Sequence, residues 1–401
     1  MGTPSDRLRV VVVPEWYPTP DDPIAGVFVR DQARAIARLH DVTVLVPSAS
    51  ARGSVVEAGV RELAPAVSRR GGRAARMARL RALDAATRDL RPDVLHAHVF
   101  SAGLLAVLVG RRRGVPVVVS EHLSSFVVGA VRGWDARVAR FVLRHADRVC
   151  PVSDVLARSM RELEPRGRYE VVPNVVDLDA FGAGPASVER PNAQAQPGTG
   201  ATRRLLVVAS LTRLKGLPVL LTALERLREQ RPEVVLDVVG DGPERGALEA
   251  AASALGPGVV TFHGRLPRPE VAAMMRRADA LVVPSFVETF GIVVVEALAC
   301  GLPVVATDGC GAAPLAAELG GAVVRARDPD SLREGLSSVL DRPNGVPASA
   351  AEELRRRYGP GPLAERWDAL YRSLAPRPAG RWNLRAPRSR DRAPAAPAEI
   401  A

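Results

Sequence analysis

Short β-branched runs alternate with helical stretches twice along this chain, and that alternation restricts it to α/β architectures with parallel sheets. In the first half the runs are Leu8–Val13, Val42–Val46, Val94–His98, Val117–Ser120, Arg148–Val152 and Tyr169–Val172, separated by helical stretches such as Phe28–Leu39 and Arg137–His145. Continuous apolar strands of this kind belong to a sheet covered on both faces. Residues 182–202 turn to a Gly-, Pro- and Ala-rich composition and read as a linker. A second series follows at Leu205–Ala209, Val234–Val239, Val259–His263, Ala280–Val283 and Pro303–Ala306. The expectation is two doubly wound, Rossmann-like domains, 1–181 and 203–359, facing each other across a cleft, with ligands at the carboxyl ends of the strands. Residues 376–401 are rich in Pro and Arg and read as a disordered basic tail.

With 401 residues, 47% hydrophobic and 25% charged, the composition is that of an ordinary soluble protein. The longest apolar stretch, Val99 to Val109, is about half the ~20 residues a membrane span needs. Met1–Arg9 is polar and runs straight into a strand, so neither a signal peptide nor a transmembrane helix is expected. Cys150, Cys300 and Cys310 lack metal-type spacing and fit a reducing compartment, with the cytosol as the expected location. A net charge of +11 favours anionic partners. Nucleic acid is set aside because four Trp, four Tyr and eight Phe are not interleaved with the Arg clusters, as base stacking would require. The run Arg69–Arg81 suits either peripheral contact with an anionic membrane or a solvated helix face.

One of the 55 basic residues, Lys215, is a lysine, and all the others are arginines. A compact ammonium and a planar guanidinium are not interchangeable beside a phosphate or a reacting sugar, so the Lys215-Gly216 step after a strand is a candidate for chemistry. The richest constellation runs from Ser285 to Thr307, through Glu288-Thr289-Phe290-Gly291 into a helix that bears Glu296. Glycine at 291 permits close approach to the backbone, and the first-turn N–H groups of the helix offer an anion site suited to a diphosphate. Glu288 and Glu296 can accept from sugar hydroxyls, or can be solvated charges at a helix start. Gly240-Asp241-Gly242-Pro243 brings a further close-approach turn to the same rim.

The ordered set of motifs resembles the retaining GT-B glycosyltransferases of the large family numbered four. It comprises Ile24-Ala25-Gly26-Val27-Phe28-Val29-Arg30, Asp93-Val94-Leu95-His96-Ala97-His98, Ser120-Glu121-His122, Val152-Ser153, Pro173-Asn174-Val175-Val176-Asp177, Lys215-Gly216, Gly240 to Pro243 and Glu288 to Glu296, and covers about Leu8 to Leu374. The resemblance implies a GT-B fold with an acceptor-binding first domain and a nucleotide-sugar-binding second domain. It also implies that the helix within 360–375, with Trp367 and Tyr371 on one face, crosses back onto the first domain.

By the same resemblance, Glu288 contacts the donor sugar, Glu296 accepts from ribose hydroxyls, and Lys215 neutralises the leaving diphosphate. His122 lies near the reacting sugar. Gly26, Gly240, Gly242, Phe290, Gly291 and Ile292 line the phosphate and sugar path. The implied reaction is transfer of a sugar from a UDP- or GDP-linked donor to an acceptor hydroxyl of a glycolipid, polysaccharide or small molecule, with retention and without metal or other cofactor.

The chain departs from the family pattern in three places. Ser210 stands where the family has Arg, leaving Arg213 as the candidate second cation; Gly309 to Pro314 lack the usual acid; Val175 replaces a glycine. Two alternatives remain at this level: a nucleotide-sugar hydrolase or epimerase, and an NADP-dependent oxidoreductase built on Gly240-x-Gly242-x-x-x-Gly246. His96-x-His98 is read as a metal pair or a satisfied structural pair at a strand end.

Overall fold

A computed structural model of the chain describes residues 6–19, 22, 24–46, 54–64, 73–179, 181–182, 202–342 and 346–374. The 182–202 linker beyond residue 182, the tail 376–401 and the start of the Arg69–Arg81 run lie outside the described residues.

The first series runs β1 (Arg9–Pro14), α1 (Val27–Ile36), β2 (Asp41–Leu45), β3 (Ser54–Glu57), β4 (Val60–Leu63), α2 (Arg73–Leu90), β5 (Val94–His98), α3 (Phe100–Arg113), β6 (Val117–Glu121), α4 (Ser124–Val127), α5 (Gly133–His145), β7 (Arg148–Pro151) and α6 (Asp154–Leu163). Its seven strands lie in the order β3-β4-β2-β1-β5-β6-β7, parallel except for the β3–β4 pair.

The second series runs β8 (Arg203–Val208), α7 (Leu217–Arg228), β9 (Val234–Val239), α8 (Arg245–Ser253), β10 (Val260–Gly264), α9 (Arg268–Arg277), β11 (Ala280–Val283), α10 (Ile292–Ala299), β12 (Val304–Thr307), α11 (Ala313–Glu318), β13 (Ala322–Val324), α12 (Pro329–Leu340), α13 (Ala350–Tyr358) and α14 (Pro360–Arg372). Its six strands are parallel in the order β10-β9-β8-β11-β12-β13. Both sheets reverse direction of winding beside their first strand, between β1 and β5 and between β8 and β11. The loops leaving these strands diverge at those points and open a crevice.

The valines of β1 show how burial on both faces works. Val10 and Val12 enter one apolar cluster with Val42, Val44, Ile36 and Trp367, while Val11 and Val13 enter another with Leu95 and Val117. The second cluster continues through Val176, Leu178 and Phe181 to Val294 and Leu298, so one core runs beneath both sheets. The far side of the second sheet has its own core, with Leu205, Leu220, Leu236 and Leu336.

Helix α14 returns to the first sheet. Leu363, Trp367, Leu370 and Tyr371 are spaced to share one face, and all four are buried in the cluster around Val10 and Val12. Tyr371 Oη lies 2.7 Å from Nδ1 of His96, whose Nε2 lies 2.8 Å from Ser120 Oγ. Both nitrogens of this fully buried imidazole are thus satisfied, which settles the structural reading of His96.

Two elements differ from expectation. Tyr169–Val172 forms no regular strand: it makes a single bridge, Tyr169 to Val149, and although Val172 N donates to Pro151 O at 3.1 Å, Pro151 has no N–H to extend the ladder. The β3–β4 hairpin was not anticipated because its turn, Ala58-Gly59, carries a weak signal; both residues take positive φ, 48° and 79°, as a tight hairpin turn demands. We expect Tyr371→Phe to destabilise the fold by ~1–3 kcal/mol in urea unfolding, because it strands a buried imidazole nitrogen; an unchanged midpoint would show that the hydroxyl is dispensable.

Candidate active site

Lys215 and Glu288 meet where the second sheet divides. A short turn, Arg213–Lys215, follows β8 and ends at Gly216 with φ 67°, aiming the ammonium across the gap toward the loop after β11. There Lys215 Nζ donates to Glu288 Oε2, with both side chains about one-fifth exposed. The backbone welds the two rims together, since Phe286 N donates to Leu214 O at 2.8 Å. Glu288 is clamped in turn: its N donates to Gly309 O at 2.9 Å and its carbonyl accepts from Gly311 N at 2.8 Å. The acid-free Gly309–Pro314 loop therefore contributes backbone support for Glu288.

Glycine at 291 answers to protein packing. It takes φ 89° at the start of α10, and an added Cβ would lie 2.8 Å from Cys310 Sγ. Gly26 is similar: it has φ 70° at the start of α1, and a Cβ there would overlap Trp16 O at 2.3 Å. In each case the glycine fixes how a helix N-terminus enters the cleft. Phe290 is buried beside them, and Ile292 begins α10. Gly240 N donates to Gly264 O at 2.7 Å, and Gly242 N to its neighbour Asp241 at 2.8 Å, which tightens the turn after β9.

Two candidates stand apart from this centre. Arg213 is 90% exposed and pairs with Glu244 at 3.4 Å, so it does not converge on Lys215. Ser210 is exposed, and its carbonyl accepts from Thr212 N at 2.9 Å.

The facing rim belongs to the ends of β5 and β6. Glu121 is fully buried and accepts from three backbone amides, Phe100 at 2.9 Å, His122 at 2.9 Å and Leu123 at 3.0 Å. Burial outweighs those donors and pushes its carboxyl up to about 7. His122 is held by this loop, with Nε2 3.1 Å from His98 Nδ1 and Phe28 against its ring at 4.4 Å. Burial holds the imidazole down to about 3, so His122 is neutral at working pH. The Asn174 side chain lies beside this imidazole and, by hydrogen bonding to it, partly offsets the effect of burial. Val99 sits beneath with φ 74°, an unusual value for a β-branched residue and a mark of local strain. The cleft is bridged by Thr289 Oγ1, which donates to His122 O at 3.0 Å.

Glu296 is buried in α10, where Arg268 Nη2 lies 3.1 Å from its Oε1. The same guanidinium reaches Asp31 of α1, in the first domain, at 2.9 Å. Burial raises the Glu296 carboxyl, partly offset by Arg268. Neither Asp31 nor Arg268 stood out in the sequence: each is a single charge, and they are 237 positions apart. Only their junction at Glu296 makes them notable.

The family pattern described as "Glycosyl transferases group 1" matches residues 190–359, and "Glycosyl transferase 4-like domain" matches residues 25–175. A D-inositol 3-phosphate glycosyltransferase of Nocardiopsis dassonvillei is 34% identical over 278 residues, 63% of this chain and 63% of that protein, so the chain spans slightly under two thirds of this relative. The D-inositol 3-phosphate glycosyltransferase 1 of Catenulispora acidiphila is 33% identical over 308 residues, covering 70% of this chain and 72% of that protein. Among solved structures, Anabaena HepE in complex with UDP-glucose superposes with a TM-score of 0.70 at 18% identity, over 92% of this chain and 100% of the other. That likeness is one of fold.

The site generates two expectations. Replacing Lys215 by Met lowers kcat by more than it raises KM, and Lys215→Arg does not restore kcat, because a point charge is needed where charge develops; equal effects on both constants would make Lys215 a uniform binder. The second concerns pH. Burial lowers the imidazoles of His40, His96, His98 and His122, so protons enter them mainly in the unfolded chain. Their contribution is lost as pH falls through about 6.5, opposed by Glu121 and Glu296, whose raised carboxyls favour the folded state toward acid. Urea unfolding at pH 7.5 and 5.5 reads the balance: four imidazoles against two carboxyls predict lower stability at pH 5.5, and a higher value there would contradict it.

Proposed function

The chain belongs to the group 1 glycosyl transferases, and we propose that it moves a sugar from a UDP- or GDP-linked donor to an acceptor hydroxyl with retention at the anomeric carbon. The observation that carries this reading is the Lys215–Glu288 pair at the β8/β11 division, tethered through Thr289 to His122 on the opposite rim. A diphosphate at the N-terminus of α10 meets backbone amides and an ammonium, the charge complement that a leaving group requires as its bond to the sugar breaks. Those groups supply the neutralisation that a divalent ion supplies elsewhere, so no metal takes part.

Glu288 then accepts from sugar hydroxyls, and Glu296 from the ribose. Neutral His122 is suited to hydrogen bonding with the sugar and cannot serve as a cationic acid. With no protein nucleophile at the anomeric carbon, the departing phosphate deprotonates the acceptor on the face it leaves. The UDP-glucose bound to the similarly folded HepE supports a nucleotide-sugar donor.

The acceptor enters from the first domain. We favour one presented at an anionic membrane, such as a glycolipid, over a free small molecule. Trp134 stands 64% exposed at the start of α5, and Arg137, Arg140 and Arg144 follow it along one exposed stripe. An aromatic anchor beside basic side chains suits an acidic leaflet. No helix among the described residues is long and apolar enough to cross a membrane. The proposed location is the cytoplasmic face of the membrane.

Calorimetry with UDP, GDP and ADP in the presence of EDTA tests the donor site. One nucleotide is expected to bind, with Glu296→Ala weakening it by ~1–3 kcal/mol through loss of a charged acceptor. Affinity unchanged by the substitution would remove the ribose role, and consumption of donor without acceptor would point to a hydrolase. Co-sedimentation with vesicles containing phosphatidylserine is expected to fall in Trp134→Ser; equal recovery of both proteins would leave a soluble acceptor.

A further inference from the structure

The guanidinium of Arg268 joins three parts of the molecule that have separate duties. It lies 2.9 Å from Asp31 of α1 and 3.1 Å from Glu296 of α10, and stacks 5.5 Å over the ring of Phe181, in the segment leaving the first domain. The contacts are enclosed: the side chains of Asp31 and Glu296 are 9% and 11% exposed, and Phe181 is buried. The Arg268 side chain itself is about one-third exposed, but the two carboxylates are not, so breaking the contacts is costly because Asp31 or Glu296 left alone would be a desolvated charge. Two carboxylates share one cation, so the cluster keeps spare acceptor capacity for hydroxyl donors. Asp31 lies about a turn and a half beyond Gly26, in the helix whose N-terminus enters the cleft.

We propose that Arg268 is a positioning residue that couples nucleotide binding to closure of the cleft: it orients the Glu296 carboxylate and, through Asp31, draws α1 and its Gly26 terminus onto the donor. This rests on the reading of Glu296 as a ribose acceptor. Rigid coupling follows from geometry, since any opening that moves α1 away from α9 must separate Asp31 from Arg268 or pull Arg268 off Glu296. Thr289 and His122 provide a second, weaker tie across the same cleft. Closure excludes water, which competes with the acceptor for the donor sugar.

Asp31→Asn separates these duties, because it leaves the Arg268–Glu296 contact in place, and Asp31→Glu serves as the conservative rescue. In Asp31→Asn we expect affinity for the nucleoside diphosphate to stay within about threefold of wild type, while kcat for transfer falls by about tenfold or more. The fraction of donor hydrolysed relative to that transferred should rise, and small-angle scattering of the nucleotide-free protein should show a larger radius of gyration. Asp31→Glu should recover part of each effect. Arg268→Met, which also frees Glu296, should weaken nucleotide binding in addition. The proposal is overturned if Asp31→Asn matches wild type in scattering and in the hydrolysis-to-transfer ratio, or if its affinity and kcat fall together without expansion. A wild type that binds no nucleotide would sink the donor-site reading instead, and the scattering comparison would still decide whether Asp31 holds the domains together.

Discussion

A single ammonium set against a carboxylate, Lys215 against Glu288, is the interaction around which the second domain is arranged. Parallel strands bring their carboxyl ends to one rim, and the winding reversal between β8 and β11 separates the loops there. Neither side chain could hold its place alone. Lys215 is delivered by a turn that ends in a left-handed glycine, and Glu288 is pinned on both sides by the loop after β12. The pair is only partly buried, so its cost of desolvation is modest and a bound anion can compete for the ammonium.

The two domains are bound more closely than a hinge between separate bodies suggests. One apolar cluster passes from the first sheet through Val176, Leu178 and Phe181 into the second domain, and α14 carries Trp367 and Tyr371 back under β1. Polar contacts cross the cleft at Thr289 and at Arg268. Relative motion of the sheets must therefore be small or must break identifiable contacts, and the latter are few enough to name. A histidine ladder, His96 stacked on His98 and His98 on His122, ties the buried end of α14 to the cleft rim.

Much of this was legible in the sequence for physical reasons. Val10 to Val13 can only be a strand buried on both faces, and the spacing of Leu363, Trp367 and Tyr371 announces a helix with one apolar side. The sequence reads the glycines at 26 and 291 as places where a ligand approaches; in the structure Trp16 and Cys310 leave no room for a side chain there. Tyr169–Val172 has strand composition, yet the facing Pro151 has no N–H to offer and limits it to one bridge. The hairpin at Ala58-Gly59 was missed because alanine seldom accepts positive φ. Arg213 was placed near Lys215 by sequence distance alone, whereas the turn between them points it into solvent. Long-range charge pairing was the least visible: no local pattern marks Asp31 and Arg268 as partners.

The most direct test of the donor site uses the fact that Lys215 is the only lysine in the chain. Isotope labelling of lysine alone yields one side-chain NMR signal from the whole protein, free of assignment ambiguity. Titration with UDP or GDP should move that signal and saturate it in step with calorimetric binding, as the ammonium passes from Glu288 to the diphosphate. A signal that stays in place while the nucleotide demonstrably binds would put the phosphates elsewhere and contradict the assignment of Lys215 to the leaving group.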